Sequence, residues 1–305
     1  MRKGFALALT LWIVAIMSLV TALYLSYGKK VVQKTIQLNK KLKLTLETES
    51  TIEILKFYAS TGYFNKNKIL NNNLKKDFNL FPSELMIDGT INIWRNHKIT
   101  LRDSSGFVNI NDKNALINYL ESKNNNIKDN EGIIRDSILD WLDSDNFSGL
   151  NGAEISFYKN QKRGYFSRNE NYFSSLDEIF LIRGLSEYSF LEREKLKQHL
   201  ILVDYVSRNI LTMDINTLGK VYHLSSTVLA QLSEARKEDL DFFIKLFHKF
   251  NAGNENYELD TVLPSKILKI TVISSSEDNI SKEITLLLSL RRNKKSAFEV
   301  LEYTD

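Results

Sequence analysis

From Phe5 to Tyr27 the chain reads FALALTLWIVAIMSLVTALYLSY, an apolar run without a charge, a proline or a glycine. As a helix rising ~1.5 Å per residue it reaches roughly 34 Å, enough to cross a hydrocarbon core of ~30 Å with some tilt. The run predicts a membrane span. It exceeds the ~7–15-residue apolar core of a cleaved secretory signal, and no small-x-small cleavage site closes it, so the segment is expected to stay on the protein. Everything after Tyr27 must therefore be arranged around a helix held in lipid at one end.

The rest of the chain is long enough for a sizeable core. With 305 residues and 43% hydrophobic content, one or two domains are expected beyond the span. Forty-one basic and 37 acidic residues give a net charge of +4 and are interspersed, which removes the electrostatic case for nucleic acid as a partner. Cysteine is absent, which excludes disulfides, thiolate metal sites and cysteine nucleophiles. Arg2 and Lys3 before the run are matched by Lys29 and Lys30 after it, so these flanks do not orient the span.

Between Gly28 and Ser60, Val32, Ile36, Leu44, Ile52, Leu55 and Tyr58 fall near helical spacing with no proline. The spacing predicts that the span continues as an amphipathic helix, together a rod of ~80 Å. Two arrangements fit it, a rod half in lipid and half packed on a sheet, and an ordinary juxtamembrane helix. An Asn/Lys-rich loop is expected from Asn65 to Lys76. Thr90–Trp94 and Lys98–Arg102 alternate and read as a β-hairpin joined by Arg95-Asn96-His97. Lys266–Ser274, Lys282–Arg291 and Ala297–Tyr303 read as strands, while residues 111–251 carry mostly helical signals. A helical domain inserted into a sheet domain, an α+β fold, is the simplest organisation.

Several motifs recur in a definite order. Arg2-Lys3-Gly4 abuts Phe5 and the apolar run. Gly106-Phe107-Val108-Asn109-Ile110-Asn111 leads into the helical region, followed by Leu139–Asp145 (LDWLDSD), Gly152-Ala153-Glu154 and Tyr158. Ser175–Leu185 (SLDEIFLIRGL) and Met213-Asp214-Ile215-Asn216-Thr217 come next, with Val228–Leu232 and Ala235-Arg236 downstream. In this order they resemble the K-type minor pseudopilin of bacterial type II secretion systems, over nearly the whole chain. The chain is more Asn/Lys-rich than that family, and Thr217 is followed by Leu-Gly-Lys where the family more often has a small residue and a proline.

The resemblance implies a leader at 1–4, cut by a prepilin peptidase between Gly4 and Phe5 with methylation of the new terminus, and a transmembrane helix at 5–27. It further implies a pilin-like domain from 28–110 and 252–305, interrupted by an all-α insert at 111–251. It places the protein in the bacterial inner membrane as a single-pass subunit, with its N-terminus cytoplasmic and its head periplasmic. Its partners would be other minor pseudopilins in a hetero-complex at the filament tip, the peptidase and inner-membrane lipid. Most pilins carry a glutamate at the position of Leu9, thought to pair with the terminal amine of the subunit ahead; K-type subunits resemble this chain in lacking it. A tip subunit has no neighbour ahead, and an apolar residue avoids a buried unpaired carboxylate.

Asp140, Asp143, Asp145 and Glu154 are the densest carboxylate group in the chain. With Asp140 closing a helix, Asp143 lies one turn on, and the Ser144–Asn151 loop can bring Asp145 and Glu154 round. Hard oxygen donors suit Ca²⁺ better than zinc, and the resemblance implies calcium in this domain; the spacing is not that of an EF-hand. Helix capping and a solvated acidic face is the alternative. Leu181–Leu185 resembles half of a helix-hairpin-helix turn but lacks the second glycine and has Glu187 beside it, so it reads as a packing turn. His97, His199, His223 and His248 are scattered with no obvious acid or serine partner, and Trp141 is expected to point into the insert.

Three functions compete at this stage. One is a minor pseudopilin at the tip of the type II secretion pseudopilus, and a second is a minor pilin of a type IV pilus or DNA-uptake machine. The third, an enzyme or nucleic-acid module built on the insert, is disfavoured because the sequence offers no nucleophile–base pair, phosphate loop or basic face.

Overall fold

The computed structural model describes residues 3–71, 81–123, 131–161, 164, 171–251, 259–276, 280–291 and 296–304. Its first element is an unbroken helix, α1 (Lys3–Thr61), whose apolar part is exposed from Leu9 onward and is long enough to cross a membrane. Thr21, Thr35, Thr45, Thr48 and Thr51 each return their hydroxyl to the carbonyl four residues earlier, so these polar side chains are satisfied within the helix.

The distal end of α1 lies on a five-stranded antiparallel sheet built from β4 (Asp88–Trp94), β5 (His97–Asp103), β10 (Ile267–Ser275), β11 (Ser281–Ser289) and β12 (Glu299–Thr304), in the order β12-β11-β10-β5-β4. The two-residue period of the strands sends Ile99 and Leu101, then Leu268, Ile270 and Val272, then Ile284, Leu286 and Leu288, to one face. There they enclose Ile52, Leu55, Tyr58 and Ala59 of α1. Each such large apolar side chain contributes about 1.5–3 kcal/mol on full burial.

Before the sheet, β1 (Tyr63–Asn65), β2 (Lys68–Leu70) and β3 (Glu84–Met86) form a small antiparallel sheet of their own. This corrects the loop expected from Asn65 to Lys76. Lys68-Ile69-Leu70 is a strand because Ile69 is fully buried in the α1–sheet core, a signal hidden by the Asn/Lys stretches on either side of Ile69-Leu70. Residues 72–76 of that loop lie outside the described residues. The hairpin turn is also tighter than expected, consisting of Arg95, at φ +55°, and Asn96; His97 belongs to β5 and pairs with Trp94.

The helical body is a hairpin connection grown into a domain. β5 and β10 are antiparallel neighbours from Leu268 opposite Asp103 to Ser274 opposite His97, so the chain leaves the sheet and returns to it at adjacent points. Between them lie β6 (Val108–Asn109), α2 (Lys113–Lys123), α3 (Glu131–Leu142), α4 (Ile155–Asn160), α5 (Phe190–Lys197), β7 (Leu200–Ile201), β8 (Arg208–Asn209), α6 (Ile215–Val221), α7 (Ser226–Glu238), α8 (Leu240–Phe250) and β9 (Asp260–Thr261). β6 pairs with β7 and β8 with β9, both parallel. This body has its own core, including Leu116, Ile134, Ile138, Trp141, Leu211, Leu232 and Phe247. A third cluster of Phe107, Ile201, Val203, Ile267 and Leu287 joins it to the outer face of the sheet.

Candidate metal centre

Asp140 occupies the last turn of α3, and Asp143 follows the helix end, its N–H bonded to the Leu139 carbonyl. The loop beyond folds back on the helix. Gly149 donates its N–H to Asp140 at 3.0 Å, the Ser148 hydroxyl donates to the same carboxylate at 3.2 Å, and Asn151 N–H reaches Asp136 at 2.9 Å. Arg183 fastens the outside of the loop through the Asn151 and Gly152 carbonyls. Gly152 is required by close approach, since a Cβ there would stand 1.9 Å from Asp140 Oδ2. The return delivers Glu154, which sits at the head of α4 without capping that helix.

Three of the four expected ligands meet here: one carboxylate oxygen from each of Asp140, Asp143 and Glu154 lies within 4.8 Å of the others. Asp145 stays outside this group, exposed, accepting the Phe147 N–H at 2.8 Å. Both Glu154 oxygens and Asp143 Oδ1 are buried without a hydrogen-bond partner. Burial, and then the charges of Asp140 and Asp143, push the Glu154 carboxyl above its ordinary range; burial, then Asp145 and Asp140, do the same for Asp143. The Ile155 and Asp145 backbone N–H groups act against these shifts. In the metal-free chain the ionised pair is therefore unfavourable. Its stabilising, protonated form is complete below the unfolded carboxylate pKa and is lost as pH rises through the raised folded value. A hard cation would supply the missing partner to all three orphaned oxygens, and an all-oxygen donor set fits one.

Trp141, between the two aspartates, points inward and donates to Glu178 at 3.0 Å; Glu178 also accepts from the Ser174 N–H and hydroxyl. The Leu181–Leu185 turn packs against the same helix, with Gly184 at φ +87° over Ile134. One expectation for the histidines is corrected. Buried His97 has a serine partner, its Nδ1 lying 2.6 Å from Ser274 Oγ, which is also 2.7 Å from Thr48 Oγ1 of α1, so the trio pins the helix to the sheet. The partner is 177 residues away in sequence, which is why no local pattern announced it.

Two further polar centres had no sequence signal. Asp103, fully buried where β5 enters the insert, accepts from Ser265 N–H and hydroxyl, Asn209 Nδ2 and Thr212 Oγ1. Arg208 lies between Asp112 and Asp260, 3.3 Å from each.

An exposed apolar helix that becomes the spine of an antiparallel sheet, with a helical body grafted into one hairpin, is a pilin-like fold carried on its N-terminal helix. No family model and no curated protein sequence matches the chain. Among solved structures its fold is similar to a chain of the GspK-GspI-GspJ complex of the enterotoxigenic Escherichia coli type 2 secretion system. The likeness covers 90% of this chain and 98% of that one, at 16% identity and a TM-score of 0.52. The fold is thus pseudopilin-like, and the apolar helix is long enough to cross a membrane.

Proposed function

We propose that this chain is a K-type minor pseudopilin, a non-enzymatic assembly subunit at the tip of a type II secretion pseudopilus. The observation that carries the reading is the helical body grafted between β5 and β10. A subunit enlarged on that side is hard to surround with other heads inside a helical shaft, but has room at the top. Leu9 supports the same place, since a subunit with nothing ahead has no use for a charge there. The similar chain comes from a complex of three pseudopilins, which makes two smaller minor pseudopilins the expected partners. On this reading the Gly4–Phe5 bond, in the first turn of α1, is the processing site, and the head is periplasmic. Co-expression with those two subunits tests it: the chain should co-purify with both, and deleting residues 112–250 should leave the complex able to form while altering secretion. Failure of the intact chain to join either subunit overturns the reading.

Asp140, Asp143 and Glu154 would hold calcium on the same proposal, ordering the loop from Asp143 to Glu154. Binding to the folded state stabilises it by about 2.7 kcal/mol at a hundredfold excess over Kd. Calcium should raise the Tm of the native protein, and Glu154→Gln with Asp143→Asn should abolish that rise. In chelator the same double variant should melt higher than the native chain at neutral pH, the gain shrinking on acidification as the native carboxylates take up protons. Identical melting of the native protein in calcium and chelator would contradict calcium binding.

A further inference from the structure

Between the membrane and the head, α1 is exposed at every residue from Lys29 to Lys43. Its charge is one-sided along the chain. The first 46 residues contain eight of the 41 basic residues and none of the 37 acidic ones, leaving the remainder with 33 basic against 37 acidic. It is also one-sided around the helix. On a 3.6-residue period Lys29, Lys30, Lys34, Lys40, Lys41 and Lys43 all fall within one half of the circumference, and Val31, Leu38, Leu42 and Leu46 within the other.

Depth divides the six lysines into two groups. Lys29, Lys30 and Lys34 lie roughly 3–10 Å past the end of the apolar run, within or at the edge of a headgroup layer that adds about 5–7 Å on each side of the hydrocarbon. Lys40, Lys41 and Lys43 stand about 20–24 Å out, beyond that layer by more than the ~8 Å Debye length of physiological salt. No carboxylate lies within one helical turn of the first three, whereas Lys43 has Glu47 at 3.9 Å.

We propose that Lys29, Lys30 and Lys34 form a binding site for the phosphates of anionic phospholipids in the leaflet from which the head projects. The proposal rests on Phe5–Tyr27 spanning the membrane. Insertion by itself brings the headgroup layer to these three ammonium groups, with Ile280 of the head also near Lys34; compact charges on flexible stems suit phosphate oxygens presented at variable depth. A lysine near an anionic surface gains about a fivefold factor in its attraction to that surface. The site would set the depth of α1 and carry an anionic lipid annulus with the subunit.

The test reconstitutes the full chain in mixed phosphatidylcholine and phosphatidylglycerol vesicles and measures association of spin-labelled versions of each lipid. The native chain should prefer the phosphatidylglycerol label by about fivefold or more, the preference falling with salt. K29Q/K30Q/K34Q should reduce it to within twofold of none, and K40Q/K41Q/K43Q should leave it intact. Equal association of the two labels with the native chain, or an equal loss in both triple variants, overturns the proposal. Alkaline carbonate separates the two claims: a chain extracted by it does not span the membrane, while a retained chain without lipid preference loses only the lipid site.

Discussion

Replacing Asp103 by alanine should destabilise the detergent-solubilised protein by about 3–5 kcal/mol and uncouple its two cores. The carboxylate sits where the chain leaves the sheet, and its donors come from the returning chain (Ser265) and from inside the insert (Asn209 and Thr212). Two of the donors can re-pair, because Ser265 Oγ already lies 3.1 Å from the Ile267 carbonyl and Thr212 Oγ1 3.5 Å from the Asn209 carbonyl. The Ser265 N–H and the Asn209 amide cannot, and each buried donor left alone costs about 1–3 kcal/mol. Asp103→Asn should recover only part of the loss, since its amide would turn a donor toward other donors. Calorimetry should show one transition in the native protein and two in Asp103→Ala, one for the sheet with α1 and one for the helical body. A single transition moved by less than ~1 kcal/mol would mean that the apolar junction around Phe107 and Ile267 suffices.

Arg208→Met should cost a similar 3–5 kcal/mol, for a different reason. Arg208, Asp112 and Asp260 have side chains only 4–5% exposed, and their 3.3 Å contacts are charge pairs without aligned hydrogen bonds at Arg208 Nε. Burial already holds Asp260 above the ordinary carboxylate range, against the opposing effects of the Tyr222 hydroxyl and Arg208. Without the guanidinium, two buried carboxylates face each other uncompensated. The penalty is therefore expected to belong to the orphaned acids, with little net value in the pair. Adding Asp112→Asn and Asp260→Asn to Arg208→Met should restore at least half of the stability, less any weakening of the hydrogen bond that Asp112 accepts from the Ala115 N–H at the start of α2. If the triple variant is no more stable than Arg208→Met, the aromatic contact of Arg208 over Tyr222 carries more than the charges do.

What could be read in the sequence was what repeats locally. The apolar run and the 3.6-residue spacing of Ile52, Leu55 and Tyr58 announce one continuous helix, and the period-two patterns around Ile99 and Ile270 announce the sheet. Ile69 was missed because a single buried residue in a three-residue strand has no period to detect. At the candidate metal centre, Asp140 and Asp143 are legible as a helical pair and Glu154 as the end of a returning loop. That Asp145 would turn outward was not, since its geometry follows from Gly149 and Gly152 closing on Asp140. The clasps at Asp103, Arg208 and His97 join residues from 52 positions apart, as Arg208 and Asp260, to 177, as His97 and Ser274, and only the folded chain brings them together.

The central claim is that this subunit occupies a tip, and counting it along isolated filaments tests that most directly. Immunogold or fluorescent labelling of the helical body, with quantitative mass spectrometry of the same preparation, should find label at one end of each filament and about one copy of this chain per filament. Label along the whole length, at a stoichiometry comparable with the major subunit, would contradict the account.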